Sequence, residues 1–151
     1  MSLRIIAVGK KHEDWIVTGL ERYQKRLKKP YDIEWVLIPH SSLSGQQARS
    51  EESARILSKL TTGTYTMLLD ETGQNIDSPT FASLLETQFT RRGVTIIIGG
   101  AYGVTPELRT HADFVWSLSK LVFPHQLVRL LLIEQIYRAQ EIHHGGKYHH
   151  F

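Results

Sequence analysis

Short runs of consecutive apolar residues alternate along this chain with stretches in which apolar positions recur every three or four residues. The β-rich runs at 3–8, 33–38, 65–70, 94–98 and 113–118 predict five strands. Between the first two, Trp15, Ile16, Leu20, Tyr23 and Leu27 mark one face of an amphipathic helix over 13–27. Ala48, Ile56, Leu57 and Leu60 do the same over 44–60, with Ser44 as the N-cap. The sequence E-T-G at 71–73 reads as a turn that closes the third strand. Ser78-Pro79 opens a third helix running to Phe89, and Thr105-Pro106 opens a short one over 105–109 by the same cap-then-proline pattern. The fourth strand, V-T-I-I-I, is apolar on both faces, as a central strand of a covered parallel sheet should be. Regular β-α alternation predicts a single α/β domain over 1–151, with helices on both faces of a parallel sheet.

The final helix, 125–141, departs from the amphipathic pattern. Leu127, Val128, Leu130, Leu131, Leu132, Ile133, Ile136, Tyr137 and Ala139 wrap most of its circumference. A helix apolar all round is buried on more than one side. A second subunit related by a two-fold axis would bury it, and so would other elements of the same chain. Ahead of it stands S-L-S-K-L-V-F-P-H, with Pro124 placed to fix the entry into the first turn.

Composition narrows the class without naming it. The chain has 151 residues, 41% of them hydrophobic, and no cysteine, which excludes disulfides, thiol chemistry and Cys-based zinc sites. No apolar run is long enough to span a membrane, and the first ten residues do not make a signal peptide, so a cytoplasmic protein is expected. The net charge of +3 is unevenly spread. Residues 1–30 hold eight Lys or Arg against three acids, whereas 61–90 hold four acids and no Lys or Arg. Such a basic block suits either a phosphate-rich partner or a solvated helix face.

Ligands of open α/β sheets bind beyond the carboxyl ends of the strands. Here the fourth strand ends in I-G-G-A-Y-G, where glycines allow close backbone approach. The spacing matches neither a dinucleotide fingerprint nor a P-loop, and no G-x-S-x-G elbow appears. The pairs His143-His144 and His149-His150 lack an acid at ligand spacing, so no metal site is expected.

Taken together, L-L-D-E-T-G, I-I-I-G-G-A-Y-G, W-S-L-S-K-L-V-F-P-H-Q-L-V-R and the terminal Y-H-H resemble the RlmH family of SPOUT-class methyltransferases. A-V-G-K and E-R-Y-x-K-R-L near the N-terminus agree, so the likeness covers essentially the whole chain. The resemblance implies a parallel-sheet SPOUT fold with a C-terminal trefoil knot, an exception to the rule that chains do not thread. It implies a homodimer that takes S-adenosylmethionine and methylates N3 of a pseudouridine in 23S ribosomal RNA of the assembled ribosome. Carried over, the donor pocket comprises Leu69, Gly100, Lys120, Leu121, Val122, Phe123, Pro124 and His125, with Lys120 contributing backbone only.

Removing the imide proton of such a base needs a general base or a group that stabilises the anion. His149 and Tyr148 of the tail, Arg129 and His125 are the candidates, with the tail favoured. Arg22, Lys25 and Arg26, with Lys28 and Lys29, are expected to hold RNA phosphates. The family often has Lys or Arg after the tail's Tyr-His; this chain has His150-Phe151, and Lys147 supplies the charge instead. Two other readings stand beside this one: a flavodoxin-like enzyme gripping a mononucleotide phosphate at the Gly-Gly turn, and a ribosome-associated factor without catalysis.

Overall fold

The structure is a computed structural model and describes residues 3–151. In chain order the elements are β1 (Leu3–Val8), α1 (Asp14–Gln24), β2 (Ile33–Ile38), α2 (Gly45–Lys59), β3 (Tyr65–Gln74), α3 (Ser78–Phe89), β4 (Val94–Ile98), α4 (Pro106–Thr110), β5 (Phe114–Trp116) and α5 (His125–His143). The strands form one parallel sheet in the order β2-β1-β4-β3-β5.

Strand alternation sorts the core into two layers. Leu3, Ile5 and Ala7 of β1, Met67 of β3 and Ile96 of β4 pack against α1, α3 and α5. Ile6, Val8, Leu68 and Ile97 face the other way, against Ile56 of α2 and Leu108 of α4. The apolar fourth strand is central and buried at all five positions. The helix α5, apolar around most of its circumference, finds its partners here as well, since it packs with α1 and α3, and no position from His125 to Ile142 is exposed. Neighbours within the chain therefore account for much of that helix's character.

Several boundaries differ from the sequence expectation, each for a local reason. α1 stops at Gln24, and the chain tightens into short turns in which Arg26 and Leu27 donate backbone hydrogen bonds to Tyr23 and Gln24. α3 is capped by Asp77, whose carboxylate accepts from Thr80 N at 2.8 Å, so Ser78 is its first residue and not its cap. Pro124 occupies the N-cap of α5, just outside the first turn. β5 is shorter than 113–118: at its start the Asp113 side chain accepts from Thr66 N, and past its end Ser117 Oγ turns to donate to Ser119 O.

The largest difference lies at 71–73. β3 does not end at Asp70: it bulges outward and resumes pairing, so Trp116 of β5 faces both Leu69 and Gln74. Thr72 donates from N and Oγ1 to Asp70 Oδ1 at 2.8 and 2.6 Å, which folds the bulge on itself. Gly73 lies against the β5 backbone, where a Cβ would stand 2.6 Å from Val115 O.

Candidate functional site

The carboxyl ends of β3, β4 and β5 meet at a cavity of about 380 Å³. One wall is the β3 bulge, with Leu69, Asp70 and Glu71. A second is the β4 turn from Gly99 to Val104, and a third is the segment joining β5 to α5, including Leu118, Ser119, Leu121, Val122 and Phe123. Trp116, His125 and Val128 complete it.

Each wall is held by its own bonds. Gly103, at φ +78°, donates to Gly100 O and closes the β4 turn, while Arg49 Nε donates to Tyr102 O at 2.8 Å. Thr105 N reaches Ser53 Oγ at 3.0 Å, tying the turn's exit to α2. Gly100 permits close approach: a Cβ there would overlap Glu52 Oε1, a buried carboxylate oxygen that has no hydrogen-bond partner. In the third wall Ser117 Oγ donates to Ser119 O, and Ser119 Oγ accepts from Leu121 N. These bonds leave the apolar groups of Leu121 and Val122 facing out, 70% and 76% exposed.

The charge pattern is selective. Asp70, Glu71, Tyr102 and His125 are the ionisable side chains of the lining, and no Lys or Arg joins them among the described residues. Burial pushes the Asp70 carboxyl upward, but the Thr72 hydrogen bonds and the Arg109 guanidinium at 3.3 Å bring it below its ordinary value. Asp70 is therefore ionised, with its charge met by Arg109 just outside the lining. Burial pushes His125 down, helped by Arg129 and His40 and opposed by Glu52, so its imidazole is neutral near pH 7.

A second cavity of about 640 Å³ shares Trp116, Leu118, Ser119 and Phe123 with the first. Ile76, Asp77, Ser78 and Pro79 form its near side, Leu131 and Gln135 of α5 its floor, and the tail residues His149, His150 and Phe151 its cover. Trp116 stands between the two cavities, stacked on Phe81 with ring centroids 4.4 Å apart. Its indole Nε1–H is buried without a partner.

The structure thus gathers Leu69, Gly100, Leu121, Val122, Phe123 and His125 around one cavity, whereas Lys120 and Pro124 lie outside its lining. Trp116 and the Asp70-Glu71 pair are not among the residues expected from sequence. The tryptophan reads there as an ordinary strand residue, and the acids as part of a turn.

Two of the expected catalytic residues have other work. Arg129 is fully buried and lines neither cavity. Its guanidinium donates to Val8 O, Gly9 O and Lys11 O and approaches His12 Nδ1, all within 3.1 Å, so it fastens the loop after β1 to α5. Gly9, at φ +119°, is needed for that approach, because a Cβ would stand 2.9 Å from Arg129 Nη2. Tyr148 is committed too: its hydroxyl donates to Glu134 at 2.8 Å and its ring lies under Arg138. Burial, then the hydrogen bond to Glu134, raises its pKa far above the ordinary tyrosine value, which removes it as a base near neutrality. His149 alone of the three faces a cavity.

Arg22, Lys25, Arg26, Lys28, Lys29 and Lys147 are all exposed. Among the described residues no cluster of His, Cys, Asp and Glu is arranged to hold a metal ion, and no helix is long and apolar enough to cross a membrane.

The folded state holds two histidines in the neutral form, which sets an acid limit. His12 is lowered by burial and then by Arg129, and His125 is lowered as above, both from 6.5. The unfolded chain therefore binds more protons than the native one below that value, and stability rises with pH there. Stability should be complete above pH 6.5 and fall as pH drops through the window below it. Urea unfolding at pH 7.5 and 5.5 checks this; equal midpoints would contradict it.

A parallel sheet with a cleft beyond the carboxyl ends of its strands is the architecture of an α/β ligand-binding protein. A family model described as predicted SPOUT methyltransferase matches residues 1–149. Ribosomal RNA large subunit methyltransferase H of Acetivibrio thermocellus is 39% identical, over 99% of both chains. The protein of that name from Prochlorococcus marinus is 41% identical, over 98% of this chain and 92% of that one. A probable methylase family protein from Haemophilus influenzae shares the fold at TM-score 0.57 and 11% identity, over 99% of this chain and 70% of that one. The chain belongs to the SPOUT methyltransferase family, in the group of ribosomal RNA large subunit methyltransferase H. Enzymes of this family use S-adenosylmethionine as methyl donor. The first cavity fits that donor in two respects: the exposed backbone of its glycine turn can read an adenine edge, and among the described residues its lining holds no Lys or Arg to repel a sulfonium.

Proposed function

We propose that this chain methylates N3 of a pseudouridine in large-subunit (23S) ribosomal RNA on the assembled ribosome. It does so as a cytoplasmic homodimer of one SPOUT domain, with its C-terminal part threaded into a trefoil knot. The observation that carries the reading is the pair of cavities sharing the Trp116–Phe123 wall, one free of cationic side chains and the other covered by the tail. The names of relatives that match this chain end to end support the substrate. Support for the homodimer comes from Trp15, 59% exposed where α1 meets α5, and the half-buried Leu127 and Leu131.

When bound, S-adenosylmethionine supplies an electrophilic methyl group on a sulfur that departs as a neutral thioether. The protein's tasks are then alignment and water exclusion. Leu69, Leu121 and Phe123 would pack the donor's faces, and the backbone of Gly100 and of residues 121–123 would read its edges. Glu71 would face its positive charge. The second cavity receives the acceptor base, and the tail closes over it.

Calorimetry separates this from a mononucleotide-binding enzyme. S-adenosylmethionine should bind the first cavity and flavin mononucleotide should not; the reverse preference would overturn the reading. If the basic block of α1 grips phosphates, affinity for ribosomes should fall steeply with salt, and neutralising Arg22, Lys25 and Arg26 together should flatten the dependence by up to about three in the log–log slope. An unchanged slope would return those residues to a solvated face.

A further inference from the structure

The base cavity contains a histidine whose hydrogen-bonding role is already fixed. Arg138 Nη1 lies 3.0 Å from His149 Nδ1. A guanidinium carries only donors, so Nδ1 must accept and cannot hold a proton in this arrangement. The single ring proton of neutral His149 therefore sits on Nε2, the nitrogen on the far side of the ring from Arg138. Arg138 is itself immobilised: its Nε and Nη2 both donate to Glu134 Oε2, at 3.1 and 2.7 Å, and the Tyr148 hydroxyl donates to that same oxygen. Tyr148 also stacks edge-on against Tyr137, which anchors the chain one residue before His149. Phe151 packs at right angles to the imidazole, with ring centroids 4.8 Å apart. Asp77 is the acid of this cavity, and its Oδ1 is occupied by Thr80 N.

We propose that Glu134 and Arg138 lock His149 as a hydrogen-bond donor through Nε2–H, so that it polarises a carbonyl oxygen of the acceptor base and does not act as its general base. Resting on the methyl-transfer reading above, this fits an acceptor with a carbonyl beside its reacting nitrogen, as N3 of a pseudouridine has. The proton on that nitrogen passes to solvent water or hydroxide. Its electron pair stays on the ring, spread over nitrogen and the flanking oxygens, and then forms the new N–C bond as the methyl–sulfur bond breaks and that bond's electrons leave with the neutral thioether. One oxygen holds the developing negative charge against Nε2–H. Arg138 and Glu134 are positioning residues that act through His149.

Gln places an amide N–H where His149 holds Nε2–H but offers no basic nitrogen, so it discriminates the roles. His149→Gln should keep methyl transfer to ribosomes from labelled S-adenosylmethionine within about tenfold of wild type in kcat, whereas His149→Ala should lose about 100-fold or more. Equal, severe losses in both would overturn the donor role and restore a base. An arm independent of turnover uses nitrogen-15 NMR of histidine-labelled protein without ligands. His149 should show a protonated Nε2 and a hydrogen-bonded, unprotonated Nδ1, and Arg138→Met should shift the Nδ1 signal to that of a free acceptor. A proton on Nδ1 in wild type would refute the lock. Absence of methyl transfer by wild type would instead strike the proposed function, leaving the NMR result to decide the lock.

Discussion

An Arg129→Met variant is expected to lose about 3 kcal/mol of folding stability, a large share of the roughly 5–15 kcal/mol typical of a domain. The methionine fills similar volume and removes the cost of a buried charge. What it cannot do is donate to Val8 O, Gly9 O and Lys11 O, which the guanidinium now satisfies together. Orphaned buried carbonyls each cost about 1–3 kcal/mol, offset where water enters. Arg129→Lys should fall between, since one ammonium cannot span acceptors that a planar fork reaches. A second signature follows from the electrostatics. Arg129 helps hold His12 and His125 neutral, so without it both accept protons more readily in the native state and the loss of stability below pH 6.5 should shrink. Urea unfolding of the variants at two pH values measures both effects. A midpoint unchanged in Arg129→Met would mean that the loop after β1 is held by something else.

Trp116→Ala should be comparably severe and reach function as well. The indole is 3% exposed, stacks on Phe81 and forms the partition between the two cavities. Truncating a buried Trp typically costs about 3–5 kcal/mol. Here it also merges the donor and base cavities, so affinity for S-adenosylmethionine should drop along with stability. Trp116→Phe separates the contributions: it keeps the stacking and most of the wall while deleting the unpartnered Nε1–H. Its stability should stay within about 1.5 kcal/mol of wild type. If that N–H is satisfied by bound donor or base, affinity or turnover in Trp116→Phe should fall about tenfold, the worth of one such bond. Thermal unfolding and calorimetry on both variants give the answer. A stable Trp116→Ala with wild-type donor affinity would contradict the partition.

What the sequence discloses depends on whether neighbours in sequence are neighbours in space. Strand and helix periodicities and cap-then-proline signals are local, and all ten elements follow from them. The turns of Gly99–Gly100 and the Thr105 cap are legible for the same reason. The β3 bulge is not: E-T-G has turn chemistry, and its return to pairing at Gln74 depends on Trp116, more than forty residues away. Arg129 shows the same limit more sharply. One turn into a helix beside a ligand segment, it reads as a reactive cation, and only the approach of Val8 and Gly9 reveals a structural clamp. Tyr148 and His149 are adjacent and equally plausible as catalysts from sequence. Their roles part because Glu134 takes the tyrosine while Arg138 takes one nitrogen of the histidine. The composition of α5 suits either a second subunit or neighbours in the chain, and α1 and α3 supply the latter.

The most direct test of the account is methyl incorporation from S-adenosylmethionine labelled in the methyl group. The purified protein should transfer label to large-subunit ribosomal RNA when offered assembled ribosomes lacking the modification, and much less to naked RNA. Digestion should place the label on N3 of one pseudouridine. No label in ribosomal RNA under conditions where the donor binds would contradict the central claim.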